Sequence, residues 1–382
     1  MKAVRSLQRI MALADKEWIQ IRRDARSLIL SLIAPALLVV LFGYALNMDV
    51  KHVSITIMDQ DRTAFSRQMI EKFSHTEYLQ IHGYAKTYKE IDKLLNSGEA
   101  SLALVIPPDF TRRVKAGRKA KLQLLVDGSD SMSSTVAAGY VQAILMEFNL
   151  DVQMKGLNRA GISKLRLPLD VRSRVWYNEE LQSKNLIIPG IIVIILAIIS
   201  ALITSLTISR EWERGTMETL ITTPVRPFEV MTGKLIPYLI IGTFDVVMTF
   251  LVGYFFFGIY LRGSFIELLL LSVLFLIGTS TLGILISSVT KVQVLSIQAA
   301  VVVTYLPSFI LSGFVFPIQN MPMVIQAITY LIPAKYMITI IKGIVLKGTA
   351  ASLLATQIVF MAVFAVVAVL IGIRKFRLTI ND

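Results

Sequence analysis

Six stretches of this chain are almost without charge, at about 28–46, 186–206, 235–257, 265–286, 294–316 and 350–373. Each is close to the ~20 residues with which a helix crosses the ~30 Å hydrocarbon core of a bilayer. Lipid offers a backbone no hydrogen-bond partner, so a spanning segment has to satisfy its own peptide groups as a helix or a closed barrel. Composition agrees: 54% of the 382 residues are apolar and 17% are charged, against about 45–50% and about 25% in an average soluble domain. The expected fold is an α-helical membrane protein with six transmembrane helices. The long polar segment 47–184 is then an α/β extracytoplasmic domain inserted between helices 1 and 2.

Lysine and arginine set the orientation, because they collect on the cytoplasmic side of short loops. With the N-terminus inside, residues 1–27, 208–234, 287–293 and 374–382 hold seven, four, one and three of them, fifteen together. The short outer pieces 258–264 and 317–349 hold four: Arg262, Lys335, Lys342 and Lys347. Both termini are therefore expected in the cytoplasm, and 47–184 in the periplasm or outside the cell. In residues 1–27, Val4, Leu7, Met11, Trp18 and Ile21 recur at helical spacing. Arg5, Arg9, Lys16, Arg22 and Arg23 accompany them, as in an amphipathic helix lying in the headgroup region. The basic region is too long for a cleaved signal peptide, and no small-residue cleavage site follows.

Segment 47–184 alternates between the two periodicities. "HVSITIMD", "YLQIHGY", "ASLALVIPPDF" and "AKLQLLVDGSD" read as strands. "TAFSRQMIEKF", "YKEIDKLLNSG" and "SSTVAAGYVQAILMEFNLDVQM" have helical spacing. The outer segment "GFVFPIQNMPMVIQAITYLIPAKYMITIIKGIVLKG" is apolar but broken by Pro317, Pro322 and Pro333. It reads as two short helices dipping part-way into the membrane, which requires that their irregular backbone be buried in protein or face a wet cavity.

Several chemistries drop out. The chain has no cysteine, so disulfides and cysteine-ligated metals are excluded, and His52, His75 and His82 show no metal-ligating spacing. The net charge of +13 fits anionic lipid better than nucleic acid in so apolar a chain. No catalytic triad or paired carboxylates are placed for catalysis, and no enzyme activity is expected of this chain.

The loop 208–234 stands out. "EWERGTMETLIT" has amphipathic helical spacing, with Trp212, Met217, Leu220 and Ile221 able to share one side of a helix that takes in Ser209–Leu220, and Thr222–Thr223–Pro224 and Arg226–Pro227 stop it. A bare turn needs neither that length nor that amphipathicity. The motif E-x-E-R-G-T-x-E-x-L-x-x-T-P-V, Glu211 to Val225, with Gly233–Lys234 after it, resembles the cytoplasmic coupling region of the type-2 ATP-binding-cassette (ABC) exporter permeases. S-G-F-x-F-P-I-x-x-M-P at Ser312–Pro322 and I-P-A-K-Y at Ile332–Tyr336 are similar to that family's outer re-entrant segment. D-Q-D-R-T-A-F-S-R at Asp59–Arg67 resembles the outer domain of its bacterial drug-efflux-like branch.

The resemblance covers essentially the whole chain. It implies an inner-membrane exporter whose ATP and Mg are bound by a separate ABC ATPase subunit, and a second permease, either a copy or a paralogue. No cofactor is expected in this chain, and no G-x-x-x-x-G-K-[ST] occurs in it; Thr232–Leu235 lacks the upstream glycine and the hydroxyl after the lysine. Glu211, Glu213, Arg214, Gly215, Thr216, Glu218, Thr223 and Pro224 are then the ATPase-coupling residues, with the carboxylates pairing with cations of the ATPase. Thr204, Ser205 and Thr207, with Thr304 and Ser308, would line a substrate cavity, although such residues also pack helices together. The substrate would be amphipathic or hydrophobic, and an adaptor protein could dock on the outer domain.

Two rival readings stay open. One is a scaffold whose outer domain binds an envelope partner without moving a solute. The other is an ion-coupled transporter centred on Asp245, an acid about ten residues into span three, where ionisable groups are costly. The bland account of Asp245 is a hydrogen bond between helices. Glu267 is expected to pair with Arg262, Tyr254–Phe257 to anchor at the outer interface, and Pro307 to kink span five.

Overall fold

The computed structural model describes residues 2–46, 52–74, 76–159, 177 and 182–376. His75, residues 160–176 of the inserted segment and residues 377–382 of the tail lie outside the described residues. The chain divides into two units, Met1–Asn47 with Arg174–Asp382, and Met48–Ser173.

The smaller unit holds strands β1 (Val53–Asp59), β2 (Leu79–Tyr84), β3 (Leu102–Ile106) and β4 (Gln123–Val126). With them come helices α3 (Ala64–Ser74), α4 (Tyr88–Asn96), α5 (Phe110–Lys115) and α6 (Ser131–Arg159). The sheet order is β2-β1-β3-β4. β1 runs parallel to β2 and β3, and β4 antiparallel to β3. Central strand β3 is LALVI and buried at every position, as expected of a strand covered on both faces. Ile55, Ile57, Leu102, Leu104 and Ile106 meet Met69, Ile70 and Phe73 of α3 and Ala137 and Val141 of α6. Met58, Ala103 and Val105 point the other way, towards Ile91 of α4. Helix α4 ends before Gly98, which takes φ +71°, a conformation only glycine adopts cheaply. The D-Q-D-R-T-A-F-S-R motif is a hydrogen-bonded turn. Asp59 Oδ1 accepts from the Asp61 and Arg62 N–H groups at 3.0 Å, and Ser66 Oγ donates to Asp59 Oδ2 at 2.7 Å. Asp61 takes the Thr63 hydroxyl at 2.8 Å and the Thr111 hydroxyl of α5.

The larger unit begins with α1 (Lys2–Arg23) and α2 (Ala25–Ala45) and resumes with α7 (Lys184–Glu213), α8 (Thr216–Ile221), α9 (Pro227–Phe257) and α10 (Phe265–Thr290). α11 (Gln293–Ala300) continues through a π-helical stretch, Val301–Tyr305, into α12 (Leu306–Leu311). Then come α13 (Met323–Thr329), α14 (Pro333–Lys342) with a π-helical extension to Lys347, and α15 (Ala355–Lys375). Among the described residues five helices are long and apolar enough to cross a membrane: Lys184–Glu213, Pro227–Phe257, Phe265–Thr290, Gln293–Leu311 and Ala351–Lys375. In α2 the apolar stretch is shorter, Ser31–Ala45, and the outer segment is a helix pair bent by 78°.

Three boundaries depart from the sequence expectation. α7 runs on to Glu213 and α9 starts at Pro227, so loop 208–234 shrinks to 214–226. Burial of Ser209 and Glu211 against neighbouring helices prolongs α7. At the other end Pro227 sits at N1, and the Glu229 carboxylate accepts from Arg226 N–H at 2.9 Å, a strong helix start. Span five stops at Leu311, and the chain turns at Gly313 with φ +80°. The π-helical stretch ends just before Pro307. Proline has no N–H for the preceding turn, and single π turns inside helices commonly absorb such an irregularity.

α7 is the axle of this unit. Its residues from Ile187 to Ala197 are all buried. It packs most closely on α10, where a Cβ on Gly283 would fall on the Thr204 hydroxyl and the Ala201 carbonyl. Ser200 and Thr279 hydroxyls share a hydrogen bond of 2.8 Å, and Ser287 Oγ accepts from the Ile208 and Ser209 N–H groups at 3.0 and 2.8 Å. Small residues that let two backbones approach are the usual device where lipid supplies no hydrophobic driving force between helices.

Candidate functional site

The charged motif forms an elbow. α7 ends at Glu213 with Arg214 as its C-cap, Gly215 turns the chain with φ +70°, and α8 sets off from there. The single helix expected over Ser209–Leu220 is therefore two helices, because a left-handed residue cannot continue a right-handed helix. α8 is held by its apolar side. Met217 and Leu220 are buried with Ile208, Val230, Met231, Leu235 and Phe376, and Trp212 and Ile221 lie against them. What remains outward is Glu213, Arg214, Gly215, Thr216 and Glu218, then Thr222, Thr223 and Pro224.

Beneath the elbow lies a set of charges far apart in the sequence. Lys234 Nζ, 2% exposed, sits 3.0 Å from Glu17 Oε2 and 3.0 Å from Glu211 Oε1. Lys16 Nζ reaches the same Glu211 oxygen at 2.8 Å. The Tyr238 hydroxyl donates to Glu17 Oε1 at 3.0 Å. Two cations thus face two carboxylates, and the set is neutral. Buried charge is tolerated only when paired and hydrogen-bonded in this way, and removing one member is far more damaging than removing all. Around it, Arg9 lies 3.5 Å from Glu229 and donates to the Pro224 carbonyl, and Arg210 lies 3.4 Å from Asp24.

Two expectations change here. Arg9 and Lys16, expected to be available to lipid headgroups, are each tied to a buried carboxylate of the protein, Glu229 and Glu211, with their side chains still 36% and 47% exposed. α1 buries Ile10, Ala14, Glu17 and Ile21 and leaves Val4, Leu7, Met11 and Trp18 exposed. Glu211, expected to grip a partner, is 2% exposed and already bound to two lysines of its own chain.

Glu213 couples the elbow to the start of span five. Its carboxylate accepts from the Gln293 N–H at 2.7 Å and also takes the Gln293 side-chain amide. This caps the first turn of α11 from outside its own sequence, meeting one of the N–H groups that a helix start leaves unpaired. Lys291, in the turn between α10 and α11, stacks over the Trp212 ring at 4.8 Å, a cation–π contact. A displacement of the elbow therefore bears on α7, α9, α11 and α1 together.

Over residues 25–374 the chain matches the family described as ABC-2 family transporter protein. The chain belongs to that family. It is 34% identical over 362 residues, covering 94% of both chains, to a protein of Escherichia coli K12 named probable multidrug ABC transporter permease YbhS. It is 30% identical over 340 residues to YbhR, named likewise, covering 87% of this chain and 90% of that one. It is 27% identical over 335 residues, 86% of each chain, to the inner membrane transport permease YhhJ. This ABC-2 permease is a multi-pass membrane protein of the transport machinery.

The small polar residues selected in spans two and five are buried within this one chain. Thr204 and Ser205 are fully buried and donate to the Ser200 and Leu202 carbonyls of their own helix, each at 2.7 Å. Thr207 donates to the Thr204 carbonyl at 2.9 Å. Thr304 donates to the Ala300 carbonyl at 2.6 Å, and Ser308 is buried one turn on. Intrahelical bonding of this kind satisfies a hydroxyl without a ligand. Asp245 is 2% exposed, and its Oδ1 has no hydrogen-bond partner among the described residues. The helix-bridging bond proposed for it is absent at that oxygen. Glu267 accepts from the Ala351 N–H at 3.1 Å, at the 3-10 turn Ala351–Leu354 that leads into α15, in place of the pairing with Arg262 expected of it. Of the expected aromatic anchor, Tyr254, Phe255 and Phe256 are exposed on α9, as an interfacial belt would have them, whereas Phe257 is buried beside Tyr44.

The missed residues left a faint trace in the sequence. Glu17 falls in register with Ile10, Ala14 and Ile21 on the apolar side of α1, and Lys234 lies about two turns inside α9. A carboxylate on an apolar stripe and a lysine at a span entrance need each other.

Proposed function

We propose that this chain is the transmembrane subunit of an ABC exporter that moves an amphipathic or hydrophobic, drug-like or lipid-like substrate out of the cytoplasm or inner leaflet. The energy comes from ATP hydrolysed on a separate ATPase subunit. Two permeases, identical or paralogous, face each other. α2 serves as the first of six spans, both termini are cytoplasmic, and the smaller unit stands on the periplasmic side. The observation that carries this reading is the elbow: an outward ridge of Glu213, Arg214, Thr216 and Glu218 on a rigid base of buried ion pairs.

The ridge docks in a groove of the ATPase, and Glu218 pairs with a cation there. ATP brings the two ATPases together, the elbow moves, and the Glu213–Gln293 bond carries the motion from α7 into α11. The cavity between permeases then closes on the cytoplasmic side and opens outward, a two-state equilibrium biased by nucleotide. The relatives' printed names support transport of drugs, and the apolar spans support a substrate of low polarity.

The test is co-purification from mild detergent with ATP hydrolysis assayed on the complex. Glu218→Lys is expected to lower recovery of the ATPase about tenfold, the effect of losing roughly 1.4 kcal/mol, with membrane insertion intact. Full recovery of an active ATPase with this variant would remove the docking role from the ridge. Transport without any ATPase would favour an ion-coupled mechanism at Asp245.

A further inference from the structure

Beside the elbow, two hollows share a wall. One is an open groove of about 570 Å³ lined by Lys16, Ile19, Gln20, Arg23, Asp24, Arg210 and Arg214. The other is a narrower cavity of about 80 Å³ whose lining is almost wholly apolar, with Ile21, Ile199, Leu202, Ile203, Leu206 and Ile241 around Tyr238. Asp24 and Arg210, 3.4 Å apart, belong to both linings. The groove holds four cations and one carboxylate. Lys16 is neutralised by Glu211 and Arg210 by Asp24, so its excess positive charge rests on Arg23 and Arg214. Both of these are exposed.

We infer that this pair of hollows binds one anionic phospholipid of the cytoplasmic leaflet, with its phosphate in the Arg23–Arg210–Arg214 groove and the first methylenes of an acyl chain in the apolar cavity. Planar guanidinium groups match phosphate oxygens in pairs. Apolar walls directly beyond such a headgroup site are what an amphiphile needs and what a free anion or an acidic peptide does not use. The surroundings fit a bilayer surface. α1 turns Val4, Leu7, Met11 and Trp18 outward, and α2 turns Ile29, Ile33, Leu37 and Leu41 outward. The first stripe is suited to the headgroup boundary, and the second gives the rest of the chain an apolar path. The cavity is too small for a whole acyl chain, and that stripe takes the remainder. The inference rests on the cytoplasmic placement of α1, but not on the ATPase or on transport.

The experiment is native mass spectrometry of the full-length chain in mild detergent, without ATPase, titrated with phosphatidylglycerol or phosphatidylcholine. Wild type is expected to retain one phosphatidylglycerol about tenfold more strongly than phosphatidylcholine, and Arg23→Gln with Arg214→Gln to abolish that preference, a difference of roughly 1.4 kcal/mol. Leu202→Trp, which fills the cavity, is expected to weaken phosphatidylglycerol retention with both arginines present. Millimolar inorganic phosphate is expected not to displace the lipid. Should the double variant not fold, the salt dependence of the wild-type preference reads the same electrostatics, which screening weakens. Equal retention of the two lipids, or an unchanged preference in the double variant, would overturn the assignment and leave the basic groove to an acidic protein segment. Displacement by phosphate together with a silent Leu202→Trp would reduce it to a simple anion site and overturn the lipid.

Discussion

The same arrangement, a lysine held between two carboxylates, is found among the described residues of both units of this permease. In the larger unit Lys234 lies between Glu17 and Glu211, and all three side chains are at most 4% exposed. In the smaller unit Lys72 of α3 lies 2.7 Å from Glu147 and 3.1 Å from Asp151 of α6, with all three side chains at least 36% exposed. The hydrogen bond to Glu147, and then that to Asp151, hold the Lys72 ammonium above its ordinary pKa. Distance alone would rank the two sets as equals. Burial separates them. Water and salt weaken the exposed set until it is worth little, whereas the buried set has no solvent to fall back on if one charge is lost. Each therefore does a different job: Lys72 decorates a helix pair already packed by its core, while Lys234 decides whether α1, α7 and α9 can lie together at all.

The contrast is sharpest under Lys234→Met. That change leaves buried Glu17 without a cation and Glu211 with Lys16 alone, and is expected to cost about 3–5 kcal/mol, read as an early thermal unfolding in detergent. Adding Glu17→Gln and Glu211→Gln to Lys234→Met is expected to recover most of the loss. A single variant as stable as wild type would break the comparison outright.

Glu213→Lys comes next. It removes the cap that Glu213 places on α11, at about 1 kcal/mol. Uncoupling of ATP hydrolysis from transport is expected beyond any stability loss. If hydrolysis and transport stayed in step, the elbow would not act through α11.

Asp245→Asn has a smaller expected effect. The carboxyl has an oxygen without a partner, and an amide of the same shape removes an uncompensated buried acid. Transport measured with the ATPase present is expected to persist, and loss of transport with normal hydrolysis would give Asp245 a role in moving charge.

Lys72→Ala is the smallest. No measurable shift in unfolding of the full chain is expected, and a large one would mean that exposure is a poor guide to the weight of these pairs.

Much of the fold is readable from periodicity. The apolar runs at 186–206, 235–257, 265–286 and 350–373 fall inside α7, α9, α10 and the α15 region, because an all-apolar stretch that long has one good conformation in lipid. The prolines at 317, 322 and 333 mark the broken outer segment, whose helix pair is bent by 78°. α5 escaped because its six residues are too few to show a period. The ends of α7 and α9 escaped because polar residues there are buried by other helices, and local sequence does not announce its neighbours. Of the elbow, the amphipathic side of α8 was legible in Trp212, Met217, Leu220 and Ile221. The split at Gly215 was not, since glycine permits a left-handed turn without requiring one.

By itself, the sequence determined that this chain lives in a membrane, which stretches are apolar and long enough to cross it as helices, and that a charged amphipathic ridge separates two of them. Those follow from composition and spacing, which act within one element at a time. Only the tertiary structure decided which charges meet. It turned Glu211 inward to Lys234 and Lys16 and set Glu213 over the start of α11. It closed the helix-facing side of Thr204 with Gly283 and opened a basic groove above an apolar cavity. The reason is range: hydrophobic patterning is written in neighbours three or four residues apart, while a buried ion pair joins Glu17 to Lys234 across 217 positions, where only packing can specify the partner.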